Sequence, residues 1–192
     1  MFQIKSKLSP CMAFLACLLV FDLGAGTVLG SPGGRALDPK RVNALDDDAR
    51  DRLKRAMREM RRRGMRPRVN STFRSRAEQQ SLYRCNRNPR CRASRGIYGA
   101  RKPGTSMHEA GLAVDIGGVS AGRRRRLTPK GRQTVRIMRK HGFSWPYGLK
   151  DPAHFEISAR RAGYRSEQAA IKAGQRRWLK SNRSRRRASI RA

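Results

Sequence analysis

The sequence predicts an α+β domain in which helices flank a small, mainly antiparallel sheet. Strand-like and helix-like stretches are interspersed without a steady βαβ rhythm. The strand candidates are short and separated by turn residues. The 192 residues also leave room for one domain with one modest core once a leader is set aside. No internal repeat is evident. The organisation reads as a leader over residues 1–30, a linker over 31–45, a compact domain over 46–165 and a basic C-terminal helix and tail over 166–192.

The first element is the leader. "MFQIKSK" supplies two lysines, "CMAFLACLLVF" an apolar run and "TVLGS" a small-residue cleavage site, with cleavage expected after Gly30. The run is shorter than the roughly 20 residues of a membrane span and is interrupted by Asp22, which favours a cleaved signal over an anchor. The expected destination is secreted or periplasmic. Removal of the leader takes away only Lys5, Lys7 and Asp22 among charged residues, so the basicity belongs to the exported chain.

After a Pro- and Gly-rich stretch, "DDDARDRLKRAMREMRRRG" begins with aspartates suited to a helix start, sets Leu53, Met57 and Met60 on one face and ends at Gly64. "RVNSTF" alternates Val69, Ser71 and Phe73 as a strand would, and Ser75 to Glu78 form a capping box for a helix running through Leu82 and Tyr83. The segment from Asn86 to Met107, with Pro89, Gly96, Gly99, Pro103 and Gly104, is too long for a casual connection and is expected to border a site. "GLAVDI" reads as a strand. "TPKGRQTVRIMRKHG" reads as a helix capped by Thr128, with Pro129 at its first position and Gly142 at its end. "HFEIS" is another short strand, and "SEQAAIKAGQRRWLK" a helix followed by a tail, "SNRSRRRASIRA", of disordered composition.

Lys and Arg number 46 against 13 Asp and Glu, a net charge of +33. Such a balance implies anionic partners and says nothing of fold. Nucleic acid, anionic lipid and anionic cell-wall polymer all fit the charge, and the export signal counts against nucleic acid. Of four cysteines, Cys11 and Cys17 leave with the leader. Cys85 and Cys91 remain, close together and suited to a disulfide whose short loop is worth roughly 2 kcal/mol by chain entropy.

Side chains alternate along a strand, so "GLAVDI" places Leu112, Val114 and Ile116 on one side and Gly111, Ala113 and Asp115 on the other. On this reading Gly111 and Ala113 leave open space beside Asp115, and His108 lies just ahead of the strand. "HFEIS" likewise groups His154 with Glu156, opposite Phe155 and Ile157. Two His and one Asp over small residues suit a three-ligand zinc site with a fourth position for water. The same residues also read as ordinary hydrogen-bonded histidines and a turn aspartate.

"SMHEAGLAVD" resembles the SxHxxGxAxD signature of zinc peptidases that trim bacterial peptidoglycan, and "DPAHFE" resembles their second motif. That family contains VanY-like D-alanyl-D-alanine carboxypeptidases and L-alanyl-D-glutamate endopeptidases, and shares its fold with the hedgehog signalling domain. "STFRSRAEQQSLY" is similar to the family's stretch carrying a substrate-facing Arg and a Gln. The resemblance implies zinc ligands His108, Asp115 and His154, with Asp151 as catalytic acid and base. It implies that Arg74 steadies the scissile carbonyl or a substrate carboxylate, and that Ser106 and Gln79 line the pocket. Peptidoglycan stem peptides are the implied substrate. The chain departs from the vancomycin-resistance carboxypeptidases at Asp151, where they carry Glu, and at Ala153, where they carry a bulky aromatic; an Asp there resembles the endopeptidase branch. A basic cell-wall or nucleic-acid binding protein without activity is the alternative from another class.

Among single residues, His141 at a helix end reads as a cation favoured by the helix dipole. Glu156 reads as a partner of the metal face or of a surface arginine, Trp145 as core rather than cleft wall, and Arg123 to Arg126 as solvated charge.

Overall fold

A computed structural model describes residues 39–95, 97, 99–120 and 126–190. The leader, most of the linker and Arg123 to Arg125 lie outside the described residues. The elements are α1 (Pro39–Asn43), α2 (Asp47–Arg62), β1 (Arg68–Ser71), α3 (Arg76–Arg87), α4 (Pro89–Arg95), α5 (Met107–Ala110), β2 (Ala113–Gly117), α6 (Pro129–Lys140), β3 (His154–Glu156) and α7 (Glu167–Ile190), with a 3-10 turn at Gly148–Lys150 before β3. The sheet is antiparallel in the order β1-β2-β3, as the α+β reading expects. Among the described residues no helix is long and apolar enough to cross a membrane.

Local signals account for most boundaries. Asp46 caps α2 by accepting from the Asp48 amide, Thr128 caps α6 at the Gly131 amide, and Ser75 with Glu78 forms the complete capping box of α3. Leu53, Met57 and Met60 of α2 and Val135, Ile137 and Met138 of α6 are buried with Leu112, Val114, Ile116, Phe155 and Ile157 from the sheet region. The two helices therefore cover one side of the sheet, and Asp115 and His154 point to the other.

Four features depart from the sequence expectations. β1 ends at Ser71 after a register shift between Val69 and Ser71, so Phe73 reaches the core from beyond the strand, where it stacks on Trp178. α1 and α4 form inside stretches with no periodic signal. α4 starts at Pro89 with the Asn88 side chain accepting from the Cys91 amide, and the Cys85–Cys91 disulfide joins it to α3. Gly111 opens no space at the site: it ends α5 in the left-handed conformation, and a Cβ there would lie 2.7 Å from the Ala44 carbonyl oxygen. The expected tail is helical to Ile190, because Arg, Ala and Lys favour helix and no Gly or Pro follows Gly174.

α7 packs closely against α5. Gly174 lets its backbone approach α5 so closely that a Cβ would lie 2.4 Å from the Glu109 carbonyl oxygen. Gln175 donates to the Arg74 and Glu109 carbonyls, and Arg177 to the Ala110 carbonyl and to Tyr164, whose hydroxyl donates to Asp46. Gly174→Ala must force these backbones apart and should cost about 1–3 kcal/mol. Urea denaturation measures it, and an unchanged midpoint would refute the close approach.

Glu59 is buried between α2 and α6. Hydrogen bonds from Lys140 (3.1 Å) and His141 (2.8 Å) outweigh burial and, with Arg63 (2.7 Å), hold its carboxyl at about 2. His141, at the end of α6, is thus a hydrogen-bond partner of Glu59. A carboxyl depressed from about 4.3 stabilises the fold fully above that value, and the contribution is lost as pH falls through about 2. Glu59→Gln should lower the melting temperature at pH 7 and lose less of it than wild type between pH 4.5 and 2. Parallel melting curves for the two proteins across that range would contradict this.

Candidate metal and peptidase centre

The centre is assembled from the open side of the sheet and the turn ahead of it. His108 sits in the short helix α5, Asp115 in β2 and His154 opposite Asp115 in β3. One oxygen of Asp115, Oδ1, lies 3.3 Å from His108 Nε2 and 3.3 Å from His154 Nδ1. One ligand atom from each of the three residues falls within 4.8 Å of the others, a spacing that could hold a metal ion.

The remaining ring nitrogens have their own partners. His108 Nδ1 donates to the Thr72 carbonyl at 2.6 Å, and His154 Nε2 donates to Glu156 at 2.9 Å. Each bond uses the far nitrogen and turns the near one toward the centre, where a bound cation would take the place of a proton on it. Two imidazole nitrogens and a carboxylate, each oriented in this way, make a donor set that fits zinc. The side-chain partner of Glu156 is therefore His154 and not a surface arginine.

Electrostatics follow from the enclosure. Burial opposes ionisation of Asp115, but the fields of His108 and His154 and the hydrogen bonds they make hold its carboxyl far below the usual range. Burial likewise opposes a charge on His154, yet hydrogen bonds to Asp115 and Glu156 raise it to about 9. Arg74 approaches the second oxygen of Asp115 at 3.8 Å and bonds Gln79 at 2.8 Å and Ser71 at 3.3 Å. Burial draws its guanidinium down from the ordinary value while Asp115 opposes. Asp151 has a carboxyl raised by burial and then by the field of Asp115. Among the described residues its carboxylate makes no hydrogen bond, so it does not act as a side-chain cap for the turn that follows.

All seven residues singled out from the sequence, Arg74, Gln79, Ser106, His108, Asp115, Asp151 and His154, line one cleft of about 440 Å³. Gln79 is fully buried, and both ends of its amide are used inside the protein: it accepts from Arg74 and donates to the Arg101 carbonyl at 2.7 Å. The long segment after α3 borders the cleft as expected, through Gly99, Ala100 and Arg101. Trp145 packs on the core and donates to the Pro152 carbonyl, outside the cleft lining. Sequence reasoning missed Thr72, which acts through its carbonyl and so leaves no side-chain signal. It also missed Arg101, Tyr147 and Lys150, which reach the cleft from irregular segments.

No curated protein matches the chain in sequence. Among solved structures, the LdcB LD-carboxypeptidase is similar at 21% identity and TM-score 0.44, over 69% of this chain and 64% of that one. The chain thus spans under two thirds of LdcB. A vancomycin-resistance D,D-pentapeptidase VanY crystallised with Zn(II) is similar at 22% identity and TM-score 0.42, over 70% of this chain and 83% of that one. The Serratia marcescens L-Ala D-Glu endopeptidase ChiX is similar at 19% identity and TM-score 0.42, over 64% and 86%. The family model described as VanY, D-alanyl-D-alanine carboxypeptidase, matches residues 42–171, most of the chain including every residue of the cleft named above, and the chain therefore belongs to the VanY family.

Proposed function

We propose that the chain is an exported, zinc-dependent peptidase that hydrolyses peptidoglycan stem peptides as a D-alanyl-D-alanine carboxypeptidase. The observation that carries the reading is the convergence, in one cleft, of two oriented histidines, an ionised aspartate, a half-buried arginine and a carboxyl without a hydrogen bond among the described residues. Zinc held by His108, Asp115 and His154 would supply Lewis acidity toward a peptide carbonyl and make water acidic enough to attack near neutral pH.

The chain's own groups supply the rest. Thr72 and Glu156 hold the far ring nitrogens and so keep His108 Nε2 and His154 Nδ1 turned toward the centre, where they would ligate. Asp151, its affinity for a proton raised by burial, takes the proton of the attacking water on a carboxylate oxygen and returns it to the departing amine. Arg74 is held by Gln79 and Ser71 beside Asp115, where its positive charge stabilises the oxyanion or a terminal carboxylate. Ser106, buried at the start of α5, offers its hydroxyl to the peptide. A second reading, L-alanyl-D-glutamate endopeptidase, is favoured by Asp151 itself, whose carboxylate lies one methylene nearer the backbone than a glutamate's would. The net charge of +33 suits retention on an anionic cell-wall polymer. Digestion of purified muropeptides with mass-spectrometric identification of the products separates the two bonds.

The purified protein should hold one zinc per chain, and His108→Ala or His154→Ala should abolish it. Glu156→Gln, which keeps the ligands but weakens the orienting bond to His154, should lower zinc affinity about 10- to 100-fold. Competition with a chelating dye reads these affinities, and full zinc content in both alanine variants would rule the site out.

Asp151→Asn preserves shape but cannot accept a proton. It should keep zinc and melting temperature while turnover on muropeptides falls about 100- to 10,000-fold. Wild-type turnover with zinc bound would remove Asp151 from the mechanism.

A further inference from the structure

Two cations that this chemistry leaves unused stand at the same cleft. Arg101 arrives from the segment after α4 and Lys150 from the 3-10 turn, both exposed, and they line the cleft together with Leu82 and Tyr147. Arg74, the inner cation, is already engaged by Gln79, Ser71 and Asp115. By contrast, the Arg101 guanidinium has one polar partner, the neutral Tyr147 hydroxyl at 3.3 Å. The Lys150 ammonium has none among the described residues.

Arg101 is nevertheless held in place. Its carbonyl accepts from the buried Gln79 amide, whose other end holds Arg74, so one side chain sets the positions of the inner arginine and the outer wall. The Arg101–Tyr147 hydrogen bond joins that wall to the segment carrying Lys150, and the Tyr147 ring lies 5.1 Å from the His154 ring. A single phenol thus separates Arg101 from the metal centre. Extended peptide advances roughly 3.4 Å per residue, so a group reaching Arg101 past the Tyr147 phenol lies within about three residues of an amide held at His154.

We propose that Arg101 and Lys150 form a carboxylate-binding subsite at the cleft mouth, which selects stem peptides bearing a free side-chain carboxylate within about three residues of the bond cut. The proposal rests on the peptidase reading of this cleft. The guanidinium fork matches a planar carboxylate, and the ammonium adds a point charge from a second segment. An anion between them also relieves the repulsion of two like charges. Asp115 and Asp151 deeper in the cleft disfavour a more highly charged group, such as a phosphate dianion.

The test uses the zinc-loaded protein and two forms of one stem peptide, with its side-chain carboxylates free or converted to amides. Wild type should show a KM about 3- to 10-fold lower for the free acid, the scale of partly exposed charge-assisted pairs. Arg101→Gln combined with Lys150→Gln should erase that preference and leave turnover of the amide form unchanged. Equal KM values in wild type, or a preference that survives in the double variant, overturns the subsite. Calorimetric binding of both peptides to zinc-loaded Asp151→Asn reads the same preference without turnover. Selective binding there with no cleavage by wild type sinks the peptidase reading and keeps the subsite, whereas equal affinity sinks the subsite whatever the wild type cleaves.

Discussion

The backbone around α5 is gripped from two sides, and the centre depends on that grip. On one side the Asp46 amide donates to the Gly111 carbonyl at 3.0 Å, and Gly111 lies too close to residues 44 to 46 to carry a side chain. On the other, α7 presses its glycine against the Glu109 and Ala110 carbonyl region and ties down three carbonyls with Gln175 and Arg177. Between them sit His108 and the first residues of β2. The Arg74 amide donates to the His108 carbonyl at 3.1 Å while Thr72 accepts from its ring, so the β1 end of the chain is indexed to the same turn. Ligand geometry at Asp115 is the downstream result of this packing.

Burial in this structure falls on charges as well as on apolar groups, and each buried charge is answered. Glu109 is fully enclosed but receives Arg76 and the Gly104 amide; Glu59 receives two cations and a histidine; Asp46 receives Tyr164 and Arg177. In a chain with 46 Lys and Arg, acids are scarce, and these carboxylates are used to join elements. Asp151 is the exception, a half-buried carboxyl with no such bond among the described residues, and that exception is what suits it to the proton transfer proposed for it.

How much of this was legible in the sequence depended on the kind of signal. Asp115, His154 and Glu156 were readable because strand alternation assigns a face to each residue, and the capping residues Ser75 and Thr128 because their side chains perform the bond that defines the helix start. Arg74, Gln79, Ser106 and Asp151 were legible only through resemblance, since no local period links residues that meet across a cleft. Gly111 was misread because two-residue spacing from Ala113 looks like a strand, whereas the φ of 73° that makes glycine necessary leaves no trace in a pattern of apolar residues. The tail was misread from composition, which counts charge but not the absence of helix breakers. Thr72 and the paths that bring Arg101, Tyr147 and Lys150 together belong to backbone geometry.

The grip on α5 also governs timing. All three candidate ligands have been synthesised by residue 154, but the helix that presses on α5 from behind is complete only once the chain has passed Trp178, and the opposing contact comes from residues 44 to 46. Contacts between such distant parts of a chain form late, after the entropy of closing long loops has been met. A nascent chain thus holds all three candidate ligands before it has the support that aims them, and any metal they bind would be captured only after α7 has been made.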